Sequence, residues 1–181
     1  MSLSAGPDLA TLFQLFPPSS YLREFDVISA DQVPQPYREL LVHEHHMTVT
    51  VEAHHKSLVD VKVLERQCHG DAYARKILLA KQTDGRIVQF GLVLIWLNYC
   101  SPEVRAEILA EKTPLGRILI EHNVLRRIEP TDFLRVTPGP EMMQWFGLKT
   151  PEPAYGRLAL IHCDGKPAIE LVEIVTPEFP V

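Results

Sequence analysis

"DAYARKILLAKQTDGRIVQFGLVLIWLNY", Asp71 to Tyr99, is the stretch on which the fold turns. Apolar residues alternate on both sides of a Thr-Asp-Gly-Arg break, and Asp-Gly between two such runs is the strongest short-range hairpin signal. Tyr73 to Ala80 and Ile87 to Tyr99 are therefore expected to pair antiparallel. Upstream, "MTVTVE" from Met47 and "SLVDVKVLERQ" from Ser57 read as strands in the same way. Downstream, Val124 to Val136, "GRLALIHC" from Gly156 and "PAIELVEIVTP" from Pro167 continue the pattern, the last two joined by a second Asp-Gly turn at Asp164-Gly165.

Helices fill the gaps. Ser101 and Pro102 form a cap and first-turn pair ahead of Val104, Ile108 and Leu109, and the signal repeats at Thr113 and Pro114 after a break near Lys112. Leu9, Leu12, Phe13 and Phe16 mark an amphipathic turn or two, stopped at Pro17-Pro18; Pro36 to His45 is a second helix candidate and Met142 to Phe146 a short third. The plan is α+β, a mostly antiparallel sheet interrupted by paired helices. It is expected to form one domain over residues 1–181, with its core at about 40–177.

The composition, 46% hydrophobic and 23% charged over 181 residues, suits one sizeable core. No run has the apolar length to span a bilayer, and the first sixteen residues lack the basic start and small-residue cleavage site of a secretion signal. A cytoplasmic protein is expected. Cys68, Cys100 and Cys163 form no Cys-x-x-Cys pair, so neither a disulfide framework nor a thiolate zinc site is indicated. A net charge of -5 argues against a general affinity for nucleic acid and for a small ligand.

Two charges fall where an apolar side chain is expected. In the first strand of the hairpin Arg75 shares a face with Tyr73, Ile77 and Leu79; near the C-terminus Glu173 shares one with Ile169, Leu171 and Val175. Stripping water from either group costs several kcal/mol unless hydrogen bonds replace it. The plainest arrangement pairs the two with each other. The restart at Thr113 and Pro114 suggests another: with Thr113 as N-cap, the amides of Leu115 and Gly116 lack acceptors within the helix and could take a carboxylate, with Gly116 leaving room for a flat ligand. Arg75, the Leu115 amide and Glu173 together suit a flat acid with a polar group at its far end. The stretch "HEHHMTVTVEAHH", His43 to His55, is rich in imidazole, but its spacing is wrong for the helical His-Glu-x-x-His motif, and no metal is expected.

"KTPLGR", Lys112 to Arg117, resembles the signature of the chorismate pyruvate-lyase (4-hydroxybenzoate synthase) family. Met47-Thr48, "YARKILL" and "GKPAIELVEIVTP" resemble three further motifs of that family in its order, over about Leu40 to Pro177. The resemblance implies an antiparallel sheet with helical flaps enclosing an internal ligand cavity. It implies a carbon-oxygen lyase that converts chorismate to 4-hydroxybenzoate and pyruvate for quinone biosynthesis, without a cofactor. Arg75 and Glu173 would be catalytic, and Met47, Arg75, Gly91, Leu115, Gly116 and Glu173 would bind the substrate. Partners would be chorismate and the aromatic acid product, with no nucleic acid and no membrane span. Two departures stand out: Leu92 follows Gly91 where the better-known enzymes carry Arg, and one extra residue between Pro167 and Glu173 makes Glu170 a rival on the opposite strand face. Arg126 or Arg127 would then supply the absent charge. The alternative is a non-catalytic aromatic-acid-binding module, since the same fold serves as the effector-sensing domain of some transcription regulators. Those carry an N-terminal winged helix, for which the roughly forty residues before the core are expected to be too few.

Overall fold

The structure, a computed structural model, describes residues 7–17 and 20–178. Pro18, half of the expected stop, lies outside them. In chain order the elements are α1 (Leu9–Leu15), β1 (Leu22–Ile28), α2 (Tyr37–Leu41), α3 (Met47–His55), β2 (Val59–His69), β3 (Ala72–Lys81), β4 (Ile87–Trp96), α4 (Pro102–Ala110), α5 (Leu115–Glu121), β5 (Arg126–Pro138), α6 (Pro140–Phe146), β6 (Ala154–Cys163) and β7 (Lys166–Val175). The seven strands form one antiparallel sheet in the order β1-β5-β6-β7-β4-β3-β2.

The α+β expectation holds, and both Asp-Gly hairpins form. Between β6 and β7, Asp164 and Gly165 have φ of 50° and 78°, the two left-handed residues that a tight turn matching the strand twist requires. Ser101 caps α4 as expected, its hydroxyl accepting from the Val104 amide at 3.3 Å.

Two expectations are corrected. Met47 to Glu52 is helical. Met47, Thr48 and Val51 are buried while Val49 is 46% exposed, so the side chains that meet the core follow a helical spacing that the alternation of β-branched residues concealed. The first forty residues also hold β1, an edge strand whose outward residues are mostly exposed and which is held by its backbone pairing with β5.

Both faces of the sheet are covered. On one, α1 and α6 bring Leu12, Phe13, Met142 and Phe146 against Leu78, Phe90, Leu92 and Ile174. The other carries two separate apolar clusters. Val104 and Ile108 of α4 and Ile118 and Leu119 of α5 pack on Val93, Ile161 and Leu171; Leu40 and Leu41 of α2 and Met47 and Val51 of α3 pack on Ile77, Leu79 and Val175. The seam between these clusters runs past Arg75 and Glu173. Close strand packing depends on Gly156, where a Cβ would stand 2.5 Å from the Glu173 carbonyl oxygen. Gly156→Ala is expected to destabilise the protein by about 1–3 kcal/mol, because the obstructing atom is backbone and cannot swing aside. Urea unfolding measures the loss.

Candidate functional site

Strand register explains what lies in the seam. Ile77, Gly91, Glu173 and Arg157 form one row across β3, β4, β7 and β6, and Arg75, Val93, Leu171 and Ala159 form the next. Arg157 is therefore directly opposite Glu173, whereas Arg75 is two strands away and displaced along its strand, about 10 Å or more at ordinary strand spacing. Arg157 Nε donates to Glu173 Oε2 at 2.9 Å. The pairing of Arg75 with Glu173, the plainest sequence expectation, does not form. Gly91 stands between them with no side chain, and the gap it leaves is the cavity.

That cavity is about 40 Å³ of space open to the centre of a water molecule, and Met47, Arg75, Gly91, Leu115, Gly116 and Glu173 all line it. At roughly 10–15 Å³ per water it holds about three waters. Val61, Ile77, Leu79, Val93, Ile161 and Leu171 make its walls apolar. Arg75 is 1% exposed, and its Nε and Nη1 have no hydrogen-bond partner among the described residues. Burial pushes its pKa down, opposed by Tyr73 and Glu111 nearby. Tyr73 donates to Glu111, which also accepts from Arg66 at 2.8 Å, so the carboxylate nearest Arg75 is occupied elsewhere.

Glu173 is buried, which raises its pKa, and Arg157 acts in the opposite direction. Arg157 is fully engaged. Besides Glu173, its Nη1 donates to the His43 carbonyl and its Nη2 to the His45 carbonyl, each at 2.9 Å. It thereby holds the segment that carries His46 and leads into α3. Sequence reasoning passed over Arg157, although its face-mates Tyr155, Ala159 and Ile161 mark it as a lone charge on an apolar face, the same signal that singled out Arg75. Gln89, 3% exposed, brings an unpartnered Oε1 to the cavity, and His46, 6% exposed, an unpartnered Nε2. Alternation places Gln89 beside Gly91; His46 belongs to the histidine-rich stretch, which the sequence marked for metal spacing and not for a cavity wall.

Other expectations change. The N-cap of α5 is Pro114, with no side-chain cap, so Leu115 and Gly116 are its first two helical residues. Gly116 also serves helix packing: a Cβ there would stand 2.8 Å from Thr48 Oγ1 and 3.1 Å from His46 Cβ. An ion pair between Arg117 and Glu52 ties α5 to α3. Leu92 lies in the opposite core and does not line the cavity, so its identity leaves the pocket unchanged. Glu170 also faces away, accepting from Trp96 Nε1 at 3.5 Å. Among the described residues, the group that could hold a metal is His54, His55 and Glu178, with ligating atoms within 4.8 Å of one another; His54 already bonds Glu178 at 2.6 Å. No described helix is long and apolar enough to cross a membrane.

The fold is an α+β architecture, one antiparallel sheet flanked by helices with a small apolar-walled cavity beneath α3 and α5. The chain is similar in structure to PhnF from Mycobacterium smegmatis (TM-score 0.57, 12% identity, 92% of this chain and 78% of that one). It is also similar to the effector domain of that PhnF (TM-score 0.50, 10% identity, 73% and 88%). A GntR-family transcriptional regulator from Bacillus cereus matches more loosely, at TM-score 0.42 and 15% identity over 68% of this chain and 96% of that one, which adds no argument. No protein-family model matches the chain, and neither does any curated protein.

These findings correct the enzyme expectation. The solved structures that share the fold include PhnF and its effector domain, and no protein-family model supports the motif resemblance, so membership of the chorismate pyruvate-lyase family is not upheld. With it go the carbon-oxygen lyase activity, chorismate as substrate, pyruvate as product and the link to quinone biosynthesis. The site is consistent with the correction: Glu173, expected to be catalytic, is bound to a guanidinium that also holds the His43 and His45 carbonyls. The exclusion of nucleic acid is narrowed too, since a net charge of -5 speaks only for the 181 residues that carry it.

Two outcomes are expected. Arg157→Ala strands a buried carboxylate and frees the segment before α3, so it should cost about 3–5 kcal/mol in urea unfolding, with a smaller loss for Glu173→Gln. His46 is held at about 4 by burial, Arg126 and Arg157, against an ordinary 6.5. The unfolded chain therefore takes up this proton first: the contribution is intact above about pH 6.5 and is lost progressively down to about pH 4. The stability difference between wild type and His46→Asn should shrink over that window.

Proposed function

We propose that the chain is a non-catalytic, cytoplasmic effector-binding domain whose ligand is a small aromatic acid. The observation that supports this best is Arg75, a buried guanidinium with two unmatched N–H groups facing an apolar cavity. A carboxylate would accept from one of them together with Nη2, the side-by-side fork that a guanidinium presents on either edge. Leu115 would add its amide, Gly91 would lie under the ring, and Met47 with the neighbouring aliphatic side chains would sandwich it. A hydroxyl at the far end would donate to Gln89 Oε1 or approach Glu173. At about 40 Å³ the cavity is closed down, so a ring enters as α3 and α5 part, straining the Arg117–Glu52 tie. The fold shared with the effector domain of PhnF adds to the reading.

Titration calorimetry with benzoate and 4-hydroxybenzoate tests it. Saturable one-to-one binding is expected, weakened by about 2–4 kcal/mol in Arg75→Lys, which keeps the charge and loses the fork. Wild-type affinity retained in that variant would remove Arg75 as the anchor.

A further inference from the structure

Outside the cavity lies an open groove of about 770 Å³. One residue, His46, lines both spaces. It is 6% exposed and its Nε2 has no hydrogen-bond partner among the described residues, so a buried polar atom stands unmatched in the wall between cavity and groove. The groove side is amphiphilic. Leu125 is 73% exposed and Val49 46% exposed, next to Arg126 and Arg127 at the start of β5. Arg127 is engaged by Glu129 at 3.3 Å. Arg126 has no carboxylate within ion-pair distance among the described residues; its Nη1 donates to the Val124 carbonyl at 3.2 Å. It lies close enough to His46 to disfavour protonation there. Glu44 and His45 are the other titratable groups lining the groove.

We infer, resting on the effector-binding reading above, that the ligand is longer than the cavity: an aromatic acid with a side chain ending in a second carboxylate or a phosphate. The ring acid sits on Arg75, the chain passes His46, and the second anion meets Arg126 in the groove. His46, neutral near pH 7, donates to or accepts from the linking atom. Leu125 and Val49 cover the linker's apolar stem. This accounts together for an unmatched imidazole between cavity and groove and a cation beside exposed apolar side chains.

The test compares 4-hydroxybenzoate, a series of 4-(carboxyalkoxy)benzoates of increasing chain length, and the phosphate ester of 4-hydroxybenzoate, by calorimetry on wild type and Arg126→Gln. At least one doubly charged probe should bind wild type about tenfold or more tighter than 4-hydroxybenzoate. Arg126→Gln should remove that gain while leaving 4-hydroxybenzoate affinity within about twofold, since Arg126 is remote from Arg75. Whether the carboxylate series or the phosphate ester shows the gain identifies the second group. Two results overturn the inference and leave the cavity reading intact: doubly charged probes binding no tighter than 4-hydroxybenzoate, or a gain that survives in Arg126→Gln. Failure of every probe to bind wild type overturns both.

Discussion

Three charged side chains enter one apolar layer of this protein, and they make only one ion pair. Arg157 and Glu173 face each other across β6 and β7 and neutralise each other. Arg75, two strands away, is left with a desolvated guanidinium. Such a charge is tolerable only where hydrogen-bond acceptors reach it. Glu111, the nearest carboxylate, is turned toward Tyr73 and Arg66. The remaining route is the cavity, where water or an anion solvates the guanidinium. A row of the sheet that carries glycine at position 91 makes that cavity possible, and the two apolar clusters on either side keep it narrow.

The Arg157–Glu173 pair does more than cancel charge. By donating to the carbonyls of His43 and His45, Arg157 fixes the segment that sets the start of α3, and with it His46 and Met47 in the cavity wall. α3 is joined in turn to α5 through Glu52 and Arg117. A ligand group that approaches Glu173 competes with Arg157 for the carboxylate and so acts on the hold over this segment. Occupancy of the cavity and the position of two surface helices thus share one set of hydrogen bonds. Any such coupling requires the two arrangements to differ in their contacts with the ligand, and the cavity wall supplies that difference.

Much of the sheet was legible because its central strands, buried on both faces, read as long apolar runs separated by turns with only one good solution. Alternation located Arg75 and Glu173, and the Asp-Gly pairs located the hairpins. What stayed hidden had a physical cause in each case. β1 is an edge strand stabilised by backbone pairing, which leaves little imprint on side-chain pattern. Met47 to Glu52 alternates like a strand but packs as a helix, because burial on the neighbouring cluster outweighs the weak preference of Val and Thr. The Arg75–Glu173 pairing failed because strand order, which sequence does not state, put β4 between them. The same ignorance of strand faces gave Leu92 a place in the pocket; its side chain points into the opposite core. The motif resemblance led to the right fold class and the wrong activity, since the residues that line a cavity are shared more widely than the chemistry done in one.

The unmatched groups around the cavity specify a ligand more sharply than its volume does. Arg75 presents two donors, Gln89 an acceptor, and His46 a nitrogen able to play either part. The donors and the acceptor lie on adjacent strands with aliphatic side chains around them. A molecule that satisfies them all is anionic at one end and a hydrogen-bond donor at the other, with an apolar body between. An analogue lacking either polar end would leave a buried group unpaired, a penalty of about 1–3 kcal/mol for a neutral group and more for a charged one. Selectivity of this kind comes from matching the polar ends, and Glu173, the carboxylate lining the cavity, is already committed to Arg157.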